Sequence, residues 1–112
     1  MATITKQVVV LAGIVPSWEA CASGGDEFLN SGRCYISIKN AHAADPRTVT
    51  IDSQVVCSQG SDHDAVVVVT AANDEKLIGP FPTDRFNDGD GKVQITYSDS
   101  AADMSIAVFE VP

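Results

Sequence analysis

The chain has 112 residues, 45% of them hydrophobic and only 6% aromatic, and its 15 acidic against 7 basic residues leave a formal net charge of -8. One domain over residues 1–112 is expected, because cores of about 100 to 150 residues are the commonest size. The apolar content argues against disorder, the acidic balance argues against nucleic acid held by phosphate neutralisation, and no apolar run approaches the ~20 residues of a membrane span.

The apolar residues are mainly Val, Ala and Ile, and β-branched side chains suit pleated sheets better than helices. Thr3 to Ala12 is expected to form the first strand. Its Val8, Val9 and Val10 are too continuous for clean alternation, which predicts burial on both faces or against a partner. The run from Val8 to Val15 also follows Lys6 and precedes Ala20-Cys21-Ala22, the outline of a signal peptide. A single lysine, the β-branched content, Gly13 and Pro16 favour the strand instead. Pro16 to Gly32 reads as a long loop holding Trp18 and Phe28, and loops over about 12 residues in a small domain are often functional.

From Arg33 onward, polar and apolar residues alternate with the period of two that marks half-buried strands. Strands are expected at Arg33 to Lys39 and Arg47 to Asp52, then across the continuous valines Val66 to Val69, a pattern that predicts a central, doubly covered strand. A short strand at Lys76 to Ile78 leads to Gly79-Pro80-Phe81-Pro82, which cannot lie mid-sheet because proline lacks a donor. A helical turn is expected near Thr83 to Phe86, then a loop at Asn87 to Gly91. Strands at Lys92 to Ser98 and Met104 to Val111 follow. About seven strands and no sustained 3.6-residue period predict an all-β fold, an antiparallel β-sandwich or a partly closed barrel.

Reactive constellations are sparse. Asp62-His63-Asp64 lacks a second histidine at ligand spacing and reads as a polar turn, and His42 sits among alanines. Asp84, Asp88 and Asp90 fall short of a calcium loop, which needs a terminal glutamate at the twelfth position. Cys57 lies six residues before His63, but a Cys-His enzyme also needs an orienting group and an oxyanion site. The expectation is therefore no enzyme, no metal and no cofactor. Cys21, Cys34 and Cys57 form an odd set without a close pair, as expected of free thiols made in a reducing cytoplasm, and Cys34 falls in phase with Ile36 and Ile38 as a core residue. Contact residues are expected among the aromatics in or beside loops, Trp18, Phe28, Phe81 and Phe86, with packing back onto the sandwich ends as the competing reading. The strand Val8 to Val10 is a candidate edge for pairing between subunits.

The order of elements carries a resemblance. An N-terminal strand and a Gly-containing loop precede Ile38-Lys39-Asn40 and Thr48-Val49-Thr50-Ile51. Lys76-Leu77-Ile78-Gly79-Pro80-Phe81-Pro82 follows, then Val93-Gln94-Ile95-Thr96-Tyr97-Ser98 and a last strand. Over Thr3 to Val111 this resembles small auxiliary head proteins of tailed bacteriophages and prophages, from which it departs at Asn87 to Gly91 and Cys57 to Asp64. The resemblance implies a viral structural protein of the virion, made in the host cytoplasm. Such a protein decorates or cements the capsid by binding the outer face of the major capsid protein; self-association as a trimer or dimer is expected to add avidity. The alternative from residues alone is an adhesion or carbohydrate-binding module on the same scaffold.

Overall fold

The computed structural model describes residues 2–41, 45–55, 64–69, 74–98 and 103–112. Within them lie β1 (Ala2–Thr3), β2 (Gln7–Val8), β3 (Glu19–Ala20), β4 (Asp26–Leu29), β5 (Cys34–Asn40), β6 (Arg47–Ile51), β7 (Ala65–Val69), β8 (Asp74–Ile78), α1 (Thr83–Phe86), β9 (Lys92–Tyr97) and β10 (Met104–Glu110). The first sheet runs β1-β4-β9-β6-β7 and the second β2-β10-β5-β8. They pack face to face as a β-sandwich and do not close into a barrel. Among the described residues, no helix is long and apolar enough to cross a membrane.

Alternation within the strands builds the interior. On β5, Cys34, Ile36 and Ile38 point inward at 0% exposure, opposite Val108 and Ile106 of β10. Phe28, Val49, Ile51, Val93 and Ile95 meet them from the first sheet. Each such side chain contributes about 1.5–3 kcal/mol by leaving water. Asn40 shares the inward parity and is fully buried, but its Nδ2 donates to the Val69 carbonyl at 3.1 Å and the Asp45 carbonyl at 3.0 Å. A buried polar group with its bonds made ties the two layers together without the cost of an orphan.

Five expectations need correction. The N-terminal stretch is not one strand from Thr3 to Ala12. β1 pairs parallel to β4 in the first sheet, and the chain then crosses at buried Ile4 so that β2 pairs parallel to β10 in the second. Each sheet is consequently mixed rather than purely antiparallel. The segment Pro16 to Gly32 is not one loop, because it holds β3 and β4, and Phe28 alternates inward on β4. Val66 to Val69 is not a doubly covered central strand: β7 ends the first sheet, with Val66 and Val68 pointing outward at 61% and 44% exposure. Valine suits any pleated position, so a valine run does not report how many faces are covered. Among the described residues ten strands stand where seven are expected, because the first divides into β1 and β2 and the expected loop holds β3 and β4; of these four only β4 is longer than two residues.

Phe28, Phe81 and Phe86 are likewise corrected as contact residues. They are 0%, 2% and 4% exposed and close one end of the sandwich. Phe28 and Phe81 lie 5.7 Å apart between centroids, and Phe86 meets Phe81 edge-on at 5.6 Å. Asn30 Nδ2 holds this end shut by donating to the Phe81 carbonyl at 2.9 Å and to Asn87 Oδ1 at 2.8 Å.

Candidate functional site

The outward face of the second sheet follows from the same alternation that filled the core. If Ile36 and Ile38 point in, Tyr35, Ser37 and Lys39 point out. The register sets Phe109, Ala107 and Ser105 of β10 beside them, and Leu77 and Glu75 of β8 beside Ser37 and Lys39 on the other flank. The middle row is therefore small, Ala107 next to Ser37, between larger rows. Tyr35 and Phe109 stack with centroids 5.3 Å apart on one side. On the other, Lys39 Nζ sits 3.9 Å above the Trp18 ring. Small between large makes a groove of about 270 Å³, lined by Val9, Pro16, Trp18, Tyr35, Leu77 and Phe109 with Ser37 at its floor. A second, strongly apolar depression of about 400 Å³ continues it past Tyr35 and Leu77 towards Pro80 and Val111.

Gly79 permits this continuation. A Cβ there would stand 2.9 Å from Tyr35 Cα and Cβ, and its φ of +134° lies where side chains are rarely tolerated. Ser37 Oγ is buried and has no hydrogen-bond partner among the described residues. An unpaired buried hydroxyl costs about 1–3 kcal/mol until a partner satisfies it.

A loop rises beside this groove. β2 and β3 both pair with the edge of β10 that β5 leaves free, at Phe109–Glu110 and at Ser105–Ile106 respectively, so residues 9–18 leave and return along one edge. Val9 N–H donates to the Glu110 carbonyl at 2.9 Å and Cys21 N–H to the Met104 carbonyl at 3.1 Å. The Gln7 side chain clamps the root by donating to the Ser17 carbonyl and accepting from its N–H, both at 2.8 Å. The tip turns where Gly13 N–H donates to the Val10 carbonyl at 2.9 Å. From Val8 to Pro16 the loop carries no charge, yet Leu11 and Val15 are 107% and 91% exposed. Of the expected strand Val8 to Val10, Val8 and Val10 are exposed at the loop's ascending arm, Val9 lines the groove, and Trp18 stands half-buried at its wall.

Other titratable groups serve the frame. Glu110 Oε2 accepts from Lys6 Nζ at 2.6 Å and Ser31 Oγ at 2.7 Å, and the bond from Lys6 above all holds its carboxyl below the usual range. Asp26 Oδ2 accepts from Tyr97 Oη at 2.6 Å and Ala22 N–H at 3.1 Å. Burial pushes the neighbouring Cys21 thiol up to about 11, which makes it a poor nucleophile. Asp88 of the calcium-like stretch spends its oxygens on the N–H groups of Asp90 and Lys92 and on Gln94, and those bonds, Lys92 first, lower its carboxyl. Among the described residues, no three His, Cys, Asp or Glu side chains cluster as metal ligands. His42, Cys57, Asp62 and His63 lie outside the described residues, while Asp64 Oδ1 accepts from Ser53 N–H at 2.8 Å.

Sequence reasoning named Val8, Val9, Val10 and Trp18 but missed Leu11, Val15, Tyr35, Ser37, Leu77 and Phe109. The phase of Ile36 and Ile38 already turns Tyr35 and Ser37 outward. Only the register brings Leu77 and Phe109 beside them. No family model, curated protein or solved structure matches the chain.

Proposed function

We propose that this chain is a non-catalytic structural protein that decorates or cements the capsid of a tailed bacteriophage, bridging on the outer face of assembled major capsid protein subunits. The observation that carries the reading is apolar exposure on both outer faces of the sandwich. Val8, Val10, Leu11 and Val15 stand beside the second sheet, and Val66 and Val68 project from the first. A bridging protein needs two such surfaces, and in a chain of net charge -8 they are where contact avoids acid meeting acid. The order of strands and the Ile-Gly-Pro-Phe-Pro run add the resemblance to auxiliary head proteins.

The mechanism is linkage. A protein that binds only the assembled shell stabilises it by RT ln(1 + [L]/Kd), and many copies on a symmetric lattice multiply a modest contact. No observation favours the carbohydrate-binding alternative, since one face of the single tryptophan is already covered by Lys39. Assembled shells warmed with and without the protein test the proposal. The reading expects shells carrying it to open at a higher temperature, and unchanged opening rejects cementing.

A further inference from the structure

We propose that two copies of this chain form a closed two-fold dimer in which the Val10–Gly13 turn of each inserts into the Ser37-floored groove of the other. The inference rests on the bridging reading and deepens it, by assigning the second-sheet face to self-association and leaving Val66 and Val68 for the shell.

Three observations point to a second copy as the occupant. The first is charge. Long-range repulsion between chains of net charge -8 opposes self-association, so copies meet where acid is scarce. Val8 to Pro16 carries no charge, and the one charged residue lining the groove among the described residues, Glu75, has Lys39 Nζ 3.9 Å from its carboxylate.

The second is position. Val9, Pro16 and Trp18 are at once the root of the loop and a wall of the groove, so knob and hole adjoin on one face. A rotation of half a turn about an axis between them places each knob over the other's hole, and both contacts form together. Had they lain on opposite faces, the same complementarity would give a head-to-tail ring or filament instead of a two-fold pair.

The third is preorganisation. The loop is fastened to β10 at both ends and clamped by Gln7, so little ordering remains to oppose insertion. The exposed Leu11 side chain supplies the apolar knob, and Val9, Tyr35, Leu77 and Phe109 line the groove that would receive it.

Sedimentation equilibrium of the purified full chain gives the test, using variants at two exposed residues that leave the core untouched. The wild type is expected at twice 11.8 kDa, with association strengthening as salt screens the repulsion. Leu11→Asp removes the knob and Leu77→Glu spoils the wall shared by both depressions. Each is expected to raise the dimer dissociation constant about 30-fold or more, the level of an interface hot spot. Mixing the two variants restores one intact knob-and-groove contact, so a heterodimer is expected where neither variant pairs alone. A monomeric wild type, variants that dimerise normally, or a mixture that stays monomeric would each overturn the proposal. Shell binding is read separately with Val66→Glu, which is expected to lose the shell and keep the dimer. Loss of shell binding by Leu11→Asp with an intact dimer would assign the loop to the shell and likewise reject this scheme.

Discussion

Individual residues divide between those that hold the sandwich together and those that it displays. Phe28 and Leu11 mark the extremes at 0% and 107% exposure. Phe28→Ala opens a cavity against Phe81 and is expected to cost about 3–5 kcal/mol in denaturant unfolding. Leu11→Ala, by contrast, is expected to stay within about 0.5 kcal/mol of the wild type at concentrations where both are monomeric. A comparable loss at Leu11 would mean that the loop packs onto its own domain. Glu110 adds a pH dependence with a definite sign. Its folded carboxyl is held low by Lys6 and Ser31, so the unfolded chain binds the proton more readily. The resulting stability is present above the ordinary carboxylate range and is lost as pH falls through the lowered folded value. Glu110→Gln removes that contribution, so thermal melts of the variant should depend less on pH across the acid limb. An acid limb unchanged by the substitution would place the dependence elsewhere.

At the scale of elements, the loop between β2 and β3 acts as a handle whose stiffness comes from its root. Gln7→Ala breaks both side-chain bonds to Ser17 while the pairing of β2 and β3 with β10 remains. The expected outcome is faster limited proteolysis between Val8 and Pro16, with little change in global melting temperature. Equal cleavage rates would show that the strand pairing alone fixes the loop. The same scale explains what was legible beforehand. β5, β6, β9 and β10 each run over five or more residues with buried residues recurring at every second position, and their positions were readable. The α1 turn was too, since Pro82 precedes it, but the burial of Phe86 was not, because its place beside a loop reads equally as a contact residue. β1, β2 and β3 were not, because two residues define no period. β7 was found but misassigned as central, since Val66 and Val68 look like core residues until the sheet order places them on an edge. Of the proposed docking surface, the Val8 to Val10 segment and Trp18 were visible from composition. The groove was not, because its rows join residues 35, 77 and 109 across three strands.

For the whole molecule, the sandwich presents its two sheets as two separable surfaces, a threonine and valine face at β6 and β7 and an aromatic groove with a handle at β5, β8 and β10. A bridging role follows if the two act together, with self-association on one side and a shell on the other. Imaging particles of the virus after adding the purified protein tests this most directly. The account predicts extra density on the outer surface, repeated at a fixed position on every capsid subunit or junction, with the first sheet turned towards the shell. Particles that carry no added density, under conditions where the protein is folded and present in excess, would contradict it.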